Sequence, residues 1–404
     1  MQAAQLLHKT FQKNNICSHK TRLKNVLICA ETVIKEKKAT LTLVGRRIKD
    51  KDDKHQNQVR SNIRKVDRLL GSKHLHSELS LFYKNMTALL IPKLSVAWIH
   101  VDWTCLSSKN ELYLLRASLS VKGRSITLYK EVHPKKNENN HSVHKDFLRK
   151  LNEILPEKTR PIIVTDAGFR AIWFEEVIKH GWNFVGRVRN KNLVLLEKEK
   201  TWKLSKTLYK KASHNPKLLG SGLLTKKNRL ECNFVVYKSK LKKRKKKNKD
   251  KSNCTSSKSK KYSKANREPW LIVTSLKKKS NLAKKTVGIY RERMQIEENF
   301  RDTKSQRYGF GLNESGTKTV ERMSVLALIV AIASFISWVA GTFVRNKGDA
   351  PKYQAHSAKF TTALSIVYLG CEALRKSLKI TEEEFFMSIK FIVEHSSKEV
   401  KLCA

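Results

Sequence analysis

Pro161-Ile162-Ile163-Val164-Thr165-Asp166-Ala167-Gly168 is the stretch on which the fold turns. A proline, four β-prone residues and then Asp-Ala-Gly read as a short buried strand that delivers a carboxylate where the chain turns. Downstream, 171–180 reads as a helix and 183–188 as another strand. Upstream, 144–155 reads as a helix closed by Pro156. Before it come three strand-length, β-rich runs: 95–101, ending in Asp102; 111–119; and 124–132, behind Gly123.

Three strands, helix, strand, helix, strand is the order of an α/β core of the ribonuclease-H-like, retroviral-integrase-like kind. Its first and fourth strands would each bring an aspartate to the carboxyl edge, where open α/β sheets place their chemistry. Around this core we expect five regions: a helical DNA-binding domain over 1–92 and the first part of the core over 93–189; an inserted β-subdomain over 190–280; the second part of the core over 281–347; and a helical C-terminal region over 348–404 suited to protein contacts. The insert shows alternating stretches at 193–196, 233–237 and 270–274. It also holds a tract, 238–251, with ten Lys or Arg and a single acid, Asp250. That composition cannot bury a core, so 238–264 is expected to be a disordered loop.

The charge balance narrows the function. The 404 residues hold 84 Lys and Arg against 35 Asp and Glu, a formal net charge of +49. Self-repulsion at that level is relieved by a polyanion, which points to nucleic acid first and an anionic membrane surface second. The seven cysteines are odd in number, scattered, and contain no C-x-x-C pair. They argue against a disulfide framework and a structural zinc, and suit a reducing cytoplasm. The N-terminus carries Lys9 and Lys13 and has no apolar run of signal-peptide type.

At the N-terminal end, Leu23, Val26, Leu27, Ala30 and Val33 recur at helical spacing, and 40–48 gives a second amphipathic piece. A third run, Val59, Ile63, Val66, Leu69 and Leu70, carries Arg60, Arg64, Lys65 and Arg68 off its apolar stripe and stops at Gly71. Three helices with a basic last one suit a helix-turn-helix-like reader of duplex DNA. The blander reading is a helical cap with solvated cations. Near the other end, residues 323–344 form a 22-residue run without a charge. It is long enough to span a membrane, but it stands alone and contains three serines, which favours a buried central helix.

The segment 283–304, read as one helix, has the most informative spacing. Tyr290, Arg293, Glu297 and Lys304 fall at about 0°, 300°, 340° and 320° on a helical wheel. A hydroxyl, a guanidinium, a carboxylate and an ammonium on one face are too polar for a core seam and suit a phosphate beside a metal. An ordinary salt-bridged face is the alternative. Glu298 projects about 100° away, so spacing selects Glu297. Asp102 and Asp166 shift the balance, because each ends an apolar strand where a lone carboxylate is costly unless it is paired, solvated or bound to a cation. Asp102, Asp166 and Glu297 form an oxygen-only set suited to Mg²⁺. Two such ions would activate a water or a 3′-hydroxyl for phosphodiester displacement. His100 shares the strand face of Asp102 and is read as a packing neighbour. Trp103 lies on the opposite face, where packing and DNA contact remain open.

Ile99-His100-Val101-Asp102-Trp103, Val164-Thr165-Asp166-Ala167-Gly168-Phe169 and Tyr290-x2-Arg293-x3-Glu297-x6-Lys304 resemble the insertion-sequence-four family of DDE cut-and-paste transposases, the last segment being its Tyr-Arg-Glu-Lys signature. Further similarity runs through Asp67-Arg68-Leu69-Leu70-Gly71, Leu115-Arg116-Ala117-Ser118, Gly123-Arg124-Ser125 and Glu268-Pro269-Trp270. The resemblance implies a catalytic, metal-binding triad of Asp102, Asp166 and Glu297 with two Mg²⁺, replaceable by Mn²⁺. Tyr290, Arg293 and Lys304 would hold phosphates at the cleaved end. Trp270 would stack on a base flipped from a hairpin, with Met294 as an apolar wedge; the alternative for Trp270 is a strand's core aromatic. It further implies cleavage through a hairpin, joining of 3′-OH ends to target DNA, and a homodimer on paired terminal inverted repeats. The setting would be the bacterial cytoplasm and nucleoid, without a membrane. A basic DNA-binding or architectural protein that keeps the fold without chemistry is the competing class, and a membrane-associated basic protein a third.

Overall fold

The computed structural model describes residues 2–17, 19–48, 59–121, 123–189, 192–240, 256–257, 268–355 and 363–396. Most of the tract expected to be a disordered loop, 238–264, lies outside the described residues. The chain is a mixed α/β protein with many helices that divides into two compact units, Met1–Pro161 with Met294–Ala404, and Ile162–Arg293.

The first unit begins with helices α1 (Gln2–Lys13), α2 (Lys20–Glu36), α3 (Leu41–Arg47), α4 (Val59–Leu70) and α5 (Lys73–Leu90). In α4 the 3.6-residue period buries Val66, Leu69 and Leu70 and leaves Arg60, Arg64 and Arg68 exposed, while Lys65 is half-buried. Ser72 starts α5 by accepting from the Leu75 amide at 3.4 Å. Strands β1 (Trp98–Ser107), β2 (Leu112–Val121) and β3 (Arg124–Pro134) follow as an antiparallel meander, with Asp102 opposite Arg116 and Arg116 opposite Lys130. After it comes α6 (His141–Ile154).

The meander has two unlike faces, because side chains alternate along a strand and cross-strand partners share a face. One is aromatic and aliphatic: Tyr129 meets Tyr83 of α5 edge to face and stacks on Phe147 of α6. The other carries His100, Asp102, Arg116, Ser118, Ser120 and Lys130, all buried. That polarity explains a departure from expectation. Asp102 does not end its strand but sits in the middle of β1, because the apolar pattern breaks off where the inward face turns polar while backbone pairing with β2 continues.

The unit resumes with α9 (Met294–Lys304), α10 (Val320–Asn346), α11 (Ile366–Arg375) and α12 (Glu382–Ser396). Helix α10 has the length and hydropathy of a membrane span, yet 94% of its most apolar window is buried. It packs on α2, α5, α11, α12 and β3, and each large aliphatic side chain so buried contributes about 1.5–3 kcal/mol.

The second unit holds β4 (Ile162–Thr165), α7 (Ala171–Lys179), β5 (Asn183–Val188), β6 (Leu193–Leu196), β7 (Lys203–Leu204), β8 (Lys217–Leu224), β9 (Leu230–Tyr237), β10 (Trp270–Thr274) and α8 (Leu282–Glu292). Its strands run in the order β4-β5-β10-β9-β8-β6-β7. Among the described residues of this unit, the β4–β5 pair is parallel, joined through α7, and the other neighbouring strands pair antiparallel. Strands β7 and β8 were not evident from the alternation pattern.

The single helix expected over 283–304 is two helices. The ladder is interrupted at Arg293, whose amide bonds to the Tyr290 carbonyl at 3.1 Å in a tighter i−3 turn. The unit boundary falls at the same place, so Tyr290 and Arg293 belong to the second unit and Glu297 and Lys304 to the first.

Candidate active site

In the first unit, β1 and α9 bring acidic and basic groups together. Asp102 is buried, and its Oδ1 accepts from the Trp103 amide at 2.8 Å. Lys304, the last residue of α9, donates from Nζ to Thr104 Oγ1 at 2.6 Å and to the Cys105 carbonyl at 3.4 Å. Glu297 is exposed and seven residues earlier, about 20° from Lys304 around the helix. Burial lowers the Lys304 pKa and Arg116 lowers it further, while Glu297, Cys105 and Asp102 pull it back up. One ammonium thus lies in the field of both carboxylates. Glu297 and Lys304 line an open cleft of about 510 Å³ with Phe300, Arg301 and Ser305.

Behind this pair the buried polar face of the sheet is bonded to α9 through a guanidinium fork. The wholly buried Arg116 donates from Nη1 to Asn299 Oδ1 and from Nη2 to Thr303 Oγ1, the latter at 3.0 Å. Trp103 is half-buried: its indole Nε1 donates to His144 Nε2 at 3.0 Å and its ring meets His133 edge to face. The desolvated His144 has its pKa lowered to about 4, so its ring is neutral and can accept that bond.

In the second unit, Asp166 follows β4 directly, as expected, and its Oδ1 accepts from the Gly168 amide at 2.8 Å. A Cβ at position 168 would lie 3.0 Å from that oxygen, so glycine keeps the turn open around the carboxylate. Tyr290 of α8 is buried, which raises the pKa of its hydroxyl. Arg293 and Arg187 counter the rise, Asp166 adds to it, and Arg293 hydrogen-bonds the hydroxyl. Trp270 is half-buried between Tyr290, edge-on at 5.0 Å between ring centres, and Tyr237 at 5.5 Å. Arg187 and Arg189 both grip Glu268, at 2.9 Å and 2.6 Å.

The expected residues therefore gather as two groups, Asp102–Glu297–Lys304 in one unit and Asp166–Trp270–Tyr290–Arg293 in the other. Met294 is 57% exposed at the start of α9. Residues that the sequence left unassigned are Thr104, Arg116, Asn299, Arg187 and Arg189. Thr104 had a readable signal, standing two residues along β1 from Asp102; Arg116 and Asn299 had none, since their pairing spans 183 positions.

Residues 100–336, more than half of the chain, match the family model described as "Transposase DDE domain". The chain belongs to the DDE transposase family. This transposase is therefore a protein of DNA transposition and recombination, and its family works with divalent metal ions. It is also similar to the solved structure "Cryo-EM structure of piggyBac transposase synaptic complex with hairpin DNA", at 11% identity and a TM-score of 0.43, covering 94% of this chain and 78% of that one. Among curated protein sequences none matches significantly.

Among the described residues, no three His, Cys, Asp or Glu side chains form a ready-made metal cluster. What the first unit does offer is a carboxylate pair on adjoining elements, Asp102 and Glu297, beside a cation they share. Mg²⁺ takes one or two carboxylates and completes its shell with water, so the donor chemistry of the transposase fits such an ion.

Proposed function

We propose that this transposase moves an insertion sequence by cut-and-paste transposition, and that Asp102, Asp166 and Glu297 together bind two Mg²⁺, with Mn²⁺ an effective substitute. The observation that carries the reading is Lys304, anchored on Thr104 and Cys105 with both Asp102 and Glu297 acting on its charge. Its remaining donor capacity is available for a phosphate. The bound ions would supply Lewis-acid activation of the attacking oxygen and stabilisation of the leaving one.

The chain's own residues then orient the substrate. Tyr290, kept protonated by burial, donates from its hydroxyl, and Arg293 supplies a fixed charge, so the pair suits the phosphates of a cleaved end. Trp270 offers a partly open aromatic surface for a base flipped from a hairpin, with Met294 as the wedge. Arg60, Arg64, Lys65 and Arg68 of α4 would contact duplex phosphates. The sequence motifs resemble those of the insertion-sequence-four family and of the transposase of insertion sequence ten, which supports a ribonuclease-H-like core. On this reading a homodimer binds paired terminal inverted repeats in the bacterial cytoplasm, opens each end through a hairpin and joins 3′-OH ends to target DNA.

An end-cleavage assay on a duplex carrying the element's terminal repeat tests this. Wild type with Mg²⁺ should yield hairpins, and Asp102→Ala, Asp166→Ala and Glu297→Ala should bind the repeat and cut nothing. Undiminished cutting by Glu297→Ala would overturn the assignment, and failure of wild type to cut under any divalent ion would favour an architectural DNA-binding role.

A further inference from the structure

Helix α9 rests on β2 and β3 through an unusual seat within the first unit. Although Ile296 and Phe300 are buried, the contacts that fix its rotation are polar. Ser120 Oγ donates to Gln295 Oε1 at 3.1 Å, and Asn299 Nδ2 donates to the Ser125 carbonyl at 2.5 Å. Arg124 Nη1 donates to Asp302 Oδ2 at 2.8 Å. At the centre is Arg116, completely buried, whose two terminal nitrogens reach Asn299 and Thr303 one helical turn apart. Its guanidinium lies 4.7 Å from the ring centre of Phe300.

A planar fork reading two acceptors four residues apart tolerates no slippage. Displacing α9 by a single turn would move Glu297 by about 5.4 Å and break both present bonds of the fork, to Asn299 and to Thr303. Arg116 is also the cross-strand partner of Asp102, on the same face of the sheet. A single side chain therefore ties the strand pair carrying one acid to the helix carrying the other. Its acceptors there are an amide and a hydroxyl, so the fork positions α9 without drawing on either carboxylate of the pair.

We propose that Arg116 is a positioning residue for metal binding: its fork onto Asn299 and Thr303 sets the turn of α9 from which Glu297 joins Asp102 on one divalent cation. This rests on reading Asp102 and Glu297 as metal ligands, and the experiment separates the two. Mn²⁺ binding to the full-length protein without DNA is followed by loss of the free-ion paramagnetic resonance signal, with thermal unfolding as the check on folding. Groups that orient metal ligands typically shift affinity by about 10–100-fold. Thr303→Val, which keeps the shape and loses one acceptor, should weaken Mn²⁺ binding about tenfold, and Arg116→Lys, which keeps the charge and loses the fork, by up to about a hundredfold. Thr303→Ser should restore wild-type affinity. If Glu297→Ala loses Mn²⁺ while folded Thr303→Val and Arg116→Lys bind it like wild type, the positioning role is overturned. Equal weakening by Thr303→Ser and Thr303→Val would overturn it too, because packing rather than the hydroxyl would then be responsible. Wild-type affinity in Glu297→Ala would instead refute the ligand assignment beneath it. Should Arg116→Lys fail to fold, the two Thr303 variants carry the test.

Discussion

Helices α9 and α10 both pack on β3, and they are held in opposite ways. Helix α10 is apolar on all sides, with Val325 through Ser334 and on to Ala340 almost entirely buried. Helix α9 is exposed on one side and bonded through amide, hydroxyl and guanidinium groups on the other. Apolar burial is strong but directionless, so one aliphatic contact can replace another. A buried hydrogen-bond network adds less net stability, yet each donor accepts only one arrangement of its partners. The difference suits the tasks proposed for them: α10 supplies stability, whereas α9 would hold Glu297 and Lys304 in fixed relation to Asp102 and Thr104.

The largest effect should come from α10. Phe335 is 2% exposed, and Phe335→Ala should cost about 3–5 kcal/mol in urea unfolding, with Mn²⁺ affinity of the folded protein unchanged. A folded Phe335→Ala that binds Mn²⁺ poorly would break the division of labour. In α9, Asn299→Leu keeps the branching of the side chain and removes the acceptor of Arg116 and the donor to Ser125. It should cost less, about 1–3 kcal/mol, while lowering Mn²⁺ affinity at least tenfold. The two variants should therefore rank in opposite order by stability and by metal binding.

The same contrast governs what could be read from residues alone. Strands β5, β6 and β10 and the buried nature of 323–344 follow from apolar periodicity, because a one-dimensional pattern reports which face is inside. Strand β8, Lys217-Leu218-Leu219-Gly220-Ser221-Gly222-Leu223-Leu224, shows no alternation: Gly220 sits at a φ of +112° where the pairing with β9 shifts register. Asp102 looked like a strand end because a polar inward face interrupts the apolar run. The break at Arg293 has no glycine or proline to announce it, and the Arg116–Asn299 bond joins positions far apart in sequence. For the candidate site, type and spacing singled out the acids and the Tyr-Arg pair. The groups that hold them in place belong to the fold's long-range pairing, which no local pattern records.

A subtler expectation concerns pH, and it too should mark α9 alone. Burial pushes the Asp302 carboxyl from its ordinary 3.8 up to about 7, against the pull of Arg124 and Arg301. Between those values the unfolded chain has released the proton that the folded chain retains. Stability therefore falls as pH rises from about 4 to about 7 and levels off above. His144, lowered to about 4, works in the reverse sense over part of this range, since the unfolded chain then holds the extra proton. Comparing wild type with Asp302→Asn cancels the histidine. The variant should lose the downward component, so that its stability relative to wild type climbs between pH 4 and pH 7. A constant difference would show that Arg124 keeps Asp302 ionised and that the seat is a plain ion pair.

The smallest effect on stability should come from cations that hold nothing in place. Arg60, Arg64 and Arg68 recur every four residues on the exposed side of α4, while Asp67 is tied to Arg322 of α10 at 2.5 Å. The helix is anchored through that pair and through its buried leucines, and the three arginines are left to solvent. Replacing each with Gln should change unfolding free energy by no more than about 0.5 kcal/mol. If α4 lies on duplex DNA, each replacement should also reduce the salt dependence of binding, with the slope of log K against log salt falling by about 0.9 for every phosphate that the variant no longer neutralises. A triple variant with an unaltered slope would place the duplex elsewhere. A triple variant of reduced stability would instead mean that these guanidinium groups, like that of Arg116, are part of the scaffold.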